Sequence, residues 1–222
     1  MSKSPPKTTL SALVLSERGQ ITISSLLLAV IMVWLHFYQQ QQGSLLETFD
    51  FTQPLVWQEP WRLLTAHILH LDAQHAIYNA IGLLLLTLFF AGNFTLRSWF
   101  NALLIIAVVI AALVWLIGYP SRFVGFSAIL HGLLLLGVLL DWRQQEYQWS
   151  DWLNPIVLGL LGLKVLLEYY GLLQSKILLS IGDPQAIGIL HACGLVGGLL
   201  AWHLHCRSLK ALATMAESNQ DK

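Results

Sequence analysis

A serine that follows a Gly-Phe pair and precedes an alanine stands where a turn gives way to a long apolar stretch. The segment Gly125-Phe126-Ser127-Ala128 follows Gly118-Tyr119-Pro120, and residues 133–140 are almost entirely Leu, Val and Gly. Because Gly and Pro interrupt regular structure, the pattern places Ser127 in the first turn of a helix. Unpaired backbone N–H groups and the positive end of the helix dipole lie there, and both can stabilise a developing oxyanion. A capping or packing role is the more common explanation for a single serine, so the nucleophile hypothesis depends on other parts of the chain.

Side chains suited to activate such a serine occur in two other apolar stretches. His75 and Asn79 are four residues apart, so they project from one face of a helix. His191 stands near the start of the last apolar stretch. A neutral imidazole can take the proton of a serine at physiological pH, and amide or imidazole N–H groups can donate to a tetrahedral oxyanion. These residue types predict acyl-transfer chemistry.

The composition is that of an integral membrane protein. The 222 residues are 56% hydrophobic and 11% charged, with a mean hydropathy of +0.63. Six apolar runs approach the roughly 20 residues that a membrane-crossing helix needs: 22–39, 75–91, 99–117, 125–141, 155–173 and 186–205. We therefore predict an all-α bundle of six transmembrane helices. Its predicted regions are an N-terminal tail (1–21), the bundle (22–205) with an external loop (about 40–74), and a C-terminal tail (206–222).

The distribution of positive charge predicts the orientation of this bundle, because Lys and Arg concentrate on the cytoplasmic side of membrane helices. With the N-terminus inside, the outer loops hold only Arg62, Arg122 and Lys176. The inner segments then hold Lys3, Lys7, Arg18, Arg97, Arg143, Arg207, Lys210 and Lys222. Both termini are expected in the cytoplasm. The second, fourth and sixth helices begin outside, which brings the serine, the lone histidine and the His/Asn pair to similar depth.

Polar groups at membrane depth are costly unless they pair or line a cavity, so this coincidence favours a functional site. We expect Ser127 and His191 to form a dyad, with His75 and Asn79 as oxyanion donors. No acidic residue is expected at that level in the second, fourth and sixth helices, which argues against a triad with Asp. In the fifth helix, Lys164 and Glu168 are four apart, and we expect them to neutralise each other in a structural role.

Small residues predict which helices pack together. Gly194 and Gly198 follow His191 at helical spacing, and Gly125, Ala128 and Gly132 offer a matching surface on the fourth helix. The same glycines would serve ordinary membrane-helix packing. His131 lies one turn below Ser127, where it can support the site by packing or hydrogen bonding.

In these features the chain resembles the rhomboid intramembrane serine proteases. The matching features, in order over about residues 57–200, are Trp61-Arg62, His70 with His75-x-x-x-Asn79, Gly125-x-Ser127, and His191-x-x-Gly194-x-x-x-Gly198. The resemblance implies Ser127 as nucleophile and His191 as general base. It also implies an oxyanion hole of His75, Asn79 and the Ser127 backbone N–H, supported by His70, His131, Gly125, Gly194 and Gly198, with no cofactor or metal. Ala128 departs from the usual Gly-x-Ser-Gly, and its methyl group could alter the clearance around the oxyanion hole.

The compact six-helix form and Ser127-x-x-x-His131-Gly132 are more similar to the rhombosortase branch of the family. That resemblance implies partners tethered to the lipid bilayer by a C-terminal Gly-Gly motif, an apolar helix and a basic tail, on proteins bound for the bacterial surface. It also implies an active site opening to the periplasmic side of the inner membrane. Glycines weaken a helix by up to about 1 kcal/mol each, which would help such an anchor unwind for cleavage.

Other functions stay open from the sequence. A rhomboid-like protein that escorts membrane clients could dispense with Ser127 and His191, so the presence of both argues against it. Intramembrane histidines could also ligate a b-type haem. A metalloprotease is disfavoured because no His-Glu-x-x-His occurs. Zero net charge indicates no nucleic-acid partner, and the two cysteines make neither a zinc spacing nor a disulfide framework.

Overall fold

The computed structural model describes residues 16–41, 43–148, 152–173 and 183–220, with side chains in the last range described through 211 and at 214. This part of the chain is built from helices and one small antiparallel ribbon. The helices are α1 (Glu17–Gln41), α2 (Leu45–Phe49), α3 (Arg62–Thr65), α4 (Ala73–Phe90), α5 (Leu96–Ile117), α6 (Ser127–Gln144), α7 (Leu153–Tyr169) and α8 (Pro184–Gln220). The strands are β1 (Phe51–Thr52) and β2 (Arg122–Phe123), and 3-10 turns lie at Gln53–Leu55, Ala66–Ile68 and Ala91–Asn93.

Each of the six predicted apolar runs coincides with a helix, although several ends differ. The fifth run was predicted to reach residue 173, but α7 ends at Tyr169, and Gly171 follows with φ of 69°. Glycine adopts this left-handed conformation without the steric cost of a Cβ, which suits it to the turn after a helix. In the other direction, α8 continues past residue 205 to Gln220, so the described part of the predicted C-terminal tail is helical.

Among the described residues, four helical segments are long and apolar enough to cross a membrane. They are Glu17–Gln41, Ala73–Asn93, Leu96–Ile117 and Pro184–Ala211. The remaining long helices, α6 and α7, have 18 and 17 residues, and α6 carries Asp141 and Arg143 near its end. The all-α membrane class is therefore supported, while six crossings stay a prediction.

Large apolar side chains cover the outside of the bundle. Examples that are more than half exposed are Leu27, Trp34, Leu88, Phe89 and Leu116. Continuous apolar surface is unfavourable in water but matches the acyl chains of a bilayer. The exterior of the protein thus fits a lipid environment.

The centre of the bundle is α6, against which α8, α4, α5 and α7 all pack, while α1 lies mainly against α4. Leu133 and Leu136 of α6 are fully buried, as is Ile106 of α5. Between α6 and α8 the backbones nearly touch, because a Cβ built on Gly194 or Gly198 would collide with the carbonyl oxygens of Ala128 or Gly132. The predicted pairing of the fourth and sixth helices through small residues is confirmed.

The loop between α1 and α4 is tied to the segment before Ser127. The Asp50 carboxylate accepts hydrogen bonds from Arg62 Nη1 (2.7 Å) and Arg122 Nε (2.9 Å). Phe51 of β1 pairs with Phe123 of β2, and their rings stack 4.6 Å apart. A buried carboxylate needs such partners to offset its loss of hydration. The loop therefore has a defined position over the N-terminal end of α6.

Candidate active site

Ser127 is the first residue of α6, as the sequence predicts. Gly125, two residues earlier, has φ of 122°, and its N–H donates to Ala66 O (2.9 Å), which holds this turn against the loop between α1 and α4. The first N–H groups of a helix have no partner within it, so Ser127 lies where backbone donors are free. Its side chain lines a cavity of about 810 Å³.

The hydroxyl of Ser127 and the ring of His191 form a hydrogen bond across the α6–α8 contact. Ser127 Oγ donates to His191 Nε2 at 3.0 Å. The close backbone approach at Gly194, one turn below His191, brings the two helices within reach of such a short bond. The arrangement is that of a hydroxyl with an adjacent base, which is what activation of a serine requires.

Glu168 of α7 completes a chain of three side chains. His191 Nδ1 donates to Glu168 Oε2 at 2.7 Å, and both side chains are almost fully buried. We expected Ser127 and His191 to form a dyad without an acid, but the Glu168 carboxylate contacts the histidine, so this expectation is wrong. The carboxylate comes from α7, not from α4, α6 or α8. A signal was present, because an ionisable residue in an apolar run marks function by default.

Lys164 contacts more than the carboxylate with which it was predicted to pair. Its Nζ donates to Glu168 Oε1 (2.5 Å), which confirms the predicted pair, and also to His131 Nε2 (2.9 Å). His131 Nδ1 in turn donates to the carbonyl oxygen of Ser127 (2.7 Å). The ring of His131 also stacks on that of His191, with centroids 3.8 Å apart and planes 16° from parallel. His131 thus makes both kinds of contact that we considered for it, hydrogen bonding and packing.

His75 and Asn79 lie on the face of α4 that borders the same cavity. The side chain of Asp72 caps this helix by accepting from the His75 backbone N–H (2.7 Å). Asn79 Nδ2 and His75 Nδ1 are buried and have no hydrogen-bond partner among the described residues. Buried donors are normally paired, so these two nitrogens lack the partner that such groups usually have.

His70 lies behind His75, not in the cavity lining. Its fully buried ring meets the His75 ring edge-on, with centroids 5.0 Å apart, and its carbonyl oxygen accepts from His36 Nδ1 (3.2 Å) and from Gln39. Burial, with smaller contributions from His75 and His36, lowers the pKa of His70 to about 3. The side chain is therefore a neutral packing partner of His75.

His131, Glu168 and His191 have ligand atoms within 4.8 Å of one another, which is close enough to consider a metal. The Lys164 ammonium already contacts two of these three side chains. The two imidazole rings are stacked, so their nitrogen lone pairs do not converge on a common point. The cation next to the Glu168 carboxylate is thus the Lys164 ammonium.

Together, the fold and this cavity define a multi-pass, all-α integral membrane protein in which a buried histidine accepts from a serine hydroxyl. The family model of the Rhomboid domain matches residues 57–208, well over half of the chain, so the protein belongs to the rhomboid family. Members of this family are generally serine intramembrane proteases. A search of curated proteins finds no match to the chain.

Proposed function

We propose that this protein is a serine endopeptidase that cleaves a peptide bond in or near the transmembrane anchor of membrane-tethered proteins. The observation that carries this proposal is the 3.0 Å hydrogen bond from Ser127 Oγ to His191 Nε2 at the edge of a cavity. Family membership supports the reaction class. Asn79 and His75 line the same cavity as Ser127, which supports the presence of an oxyanion site there.

The proposed reaction begins with attack of Ser127 Oγ on the scissile carbonyl carbon while its proton passes to His191 Nε2. The carbonyl electrons move to oxygen, which receives hydrogen bonds from the Ser127 backbone N–H, Asn79 and His75. Collapse of this intermediate breaks the C–N bond, and His191 gives its proton to the leaving amine. An ester on Ser127 remains. Water then attacks the ester with His191 as base, releasing a carboxylic acid and restoring the serine; an amine in place of water would give transfer.

The proposed substrate class is that of rhombosortases: a C-terminal Gly-Gly motif, an apolar helix and a basic tail. The pattern Ser127-x-x-x-His131-Gly132 supports this choice. The cavity is lined mainly by apolar atoms and is large enough for an extended peptide segment, which a glycine-containing anchor adopts more easily than a stable helix does. We further propose six membrane crossings, cytoplasmic termini and a periplasmic active site in a bacterial inner membrane.

Co-expression with a reporter that carries such an anchor tests the proposal. The wild type should cleave the reporter, whereas Ser127→Ala and His191→Ala should each lower the rate by at least about 10³-fold with normal membrane expression. A reporter whose Gly-Gly is replaced by Leu-Leu is the matched substrate control and should be cleaved more slowly. Cleavage that persists in Ser127→Ala would exclude the proposed nucleophile. Stable reporter binding without cleavage by the wild type would favour a client-binding protein.

A further inference from the structure

We propose that Glu168, Lys164 and His131 form a positioning unit that sets the tautomer and ring orientation of His191 for proton transfer. This inference rests on the proposed protease function. It adds two residues of α7 to a site that was expected to consist of residues from α4, α6 and α8.

Glu168 determines which nitrogen of His191 carries the proton. A carboxylate only accepts, so the 2.7 Å contact requires His191 Nδ1 to donate. Nε2 is then the unprotonated nitrogen, and it is the one that faces Ser127 Oγ. When His191 takes the serine proton, the ring becomes a cation held directly against the carboxylate. Glu168 therefore both orients the neutral base and stabilises its charged form.

Lys164 determines which oxygen of Glu168 is left for His191 and which nitrogen of His131 carries the proton. An ammonium has donors only, so it occupies Glu168 Oε1 and leaves Oε2 to His191. The same ammonium makes His131 Nε2 an acceptor, which leaves the proton of His131 on Nδ1. The Lys164 side chain is 44% exposed and borders the cavity.

His131 closes the network on Ser127 itself. Its Nδ1–H donates to the carbonyl oxygen of Ser127, while the flat face of its ring lies against the ring of His191. A neutral His131 can remain stacked when His191 becomes positively charged, whereas two charged rings at this distance would repel. The hydrogen bonds thus run in a closed cycle from Ser127 Oγ through His191, Glu168, Lys164 and His131 to Ser127 O. Each donor and acceptor role in this cycle is determined by the fixed roles of the ammonium and the carboxylate.

The direct test is to determine which nitrogen of each histidine ring carries the proton. This measurement does not require the protein to cleave a substrate. Protein labelled with ¹⁵N-histidine in micelles is compared by NMR, with His191→Ala and His131→Ala spectra for assignment. The expected wild-type state has both rings protonated at Nδ1, with a low-field proton on His191. Glu168→Gln places an amide donor beside His191 Nδ1, so the proton should move to Nε2. Lys164→Met should shift the His131 Nε2 signal, because its donor is gone.

Matched controls are Glu146→Gln and Lys210→Met. Both side chains are exposed and do not belong to the site, so neither substitution should change the NMR signals of the His131 and His191 rings. Ring signals of His191 that do not respond to Glu168→Gln, in a protein with a wild-type spectrum elsewhere, would overturn the proposal. So would a wild-type His191 protonated at Nε2.

Kinetics supply the second readout. Glu168→Gln should lower kcat for reporter cleavage by about 10²–10⁴-fold with KM changed by less than about threefold, because only the base is altered.

Lys164→Cys should also be slow, and alkylation with 2-bromoethylamine should restore activity by rebuilding an ammonium at nearly the same position. Wild-type protein given the same reagent controls for Cys193 and Cys206. Equal rates for Glu168→Gln and wild type would refute the positioning unit and leave the protease function standing. An inactive wild type with the expected ring protonation would refute the function alone.

Discussion

At the scale of single residues, Gly125 controls how close the turn before Ser127 comes to His75. A Cβ built on Gly125 would lie 2.7 Å from His75 Cε1, and the residue has φ of 122°, which a side chain disfavours. Glycine is therefore required here both by conformation and by space. The ring that it admits is one of the two side chains proposed to donate to the oxyanion.

Gly125→Ala should accordingly impair the proposed oxyanion site more than the overall fold. The displaced His75 ring would lose contact with the substrate oxygen, and removal of one such donor typically costs about 10²–10³-fold in kcat. Initial rates of reporter cleavage measure the effect. Gly92→Ala is the control, since a Cβ there meets nothing within 4 Å. Comparable rates for the two variants would show that His75 does not need this clearance.

At the scale of helices, the contact between α6 and α8 determines whether Ser127 and His191 meet at all. The two residues lie on different helices, and backbone atoms of Gly132, Gly194 and Gly198 form the contact between them. Small residues let membrane helices approach until their backbones touch. A wider spacing would break a 3.0 Å hydrogen bond, because such a bond weakens steeply with distance.

Gly194→Ala should therefore reduce both stability and the reactivity of Ser127. Its new methyl group would overlap the Ala128 carbonyl oxygen, and overpacking of this kind costs about 1–3 kcal/mol. Unfolding by SDS titration in mixed micelles measures the first effect, and the labelling rate with a fluorophosphonate probe measures the second. Gly159→Ala on α7 has open space around its Cβ and should behave like wild type. If Gly194→Ala matches Gly159→Ala in both assays, α6 and α8 do not depend on this contact.

At the scale of the whole molecule, His67 joins the loop between α1 and α4 to the bundle. Its buried ring contacts Phe123 of β2, with centroids 5.4 Å apart, and its Nε2 donates to the carbonyl oxygen of Ala107 in α5 (3.2 Å). Burial lowers the pKa of His67 from 6.5 to about 4, because the charged ring would lose its hydration. The folded protein therefore keeps this ring neutral over a range in which the unfolded chain would protonate it.

The protein should consequently lose stability as the pH falls from about 6.5 towards 4. In that window the unfolded state binds the proton and the folded state does not, so His67 alone removes up to about 3 kcal/mol, fully lost near pH 4. His70 acts in the same direction. Thermal unfolding in micelles at constant ionic strength measures the slope. His67→Gln keeps an amide donor without a titrating ring and should show a shallower slope; an equal slope would assign the pH dependence to other groups.

The sequence by itself determined the membrane class, the six apolar helices and the positions of Ser127, His75, Asn79 and His191 near a common level. These features follow from local information. The length of an apolar run sets a helix, turn residues set its ends, and spacing along a helix sets which side chains share a face. The location of Ser127 at the start of α6 and the close packing of α6 on α8 could be predicted for the same reason.

Only the tertiary structure decided that Glu168 contacts His191 and that Lys164 also contacts His131. A helix whose surroundings are apolar on every side carries little contrast between its lipid-facing and protein-facing surfaces, so its rotation cannot be read from hydrophobic periodicity. The spacing of Lys164 and Glu168 was fully explained by a pair within one helix, which hid their contacts with α6 and α8. Those contacts depend on how α7 packs against its neighbours, and that packing involves residues far apart in the chain.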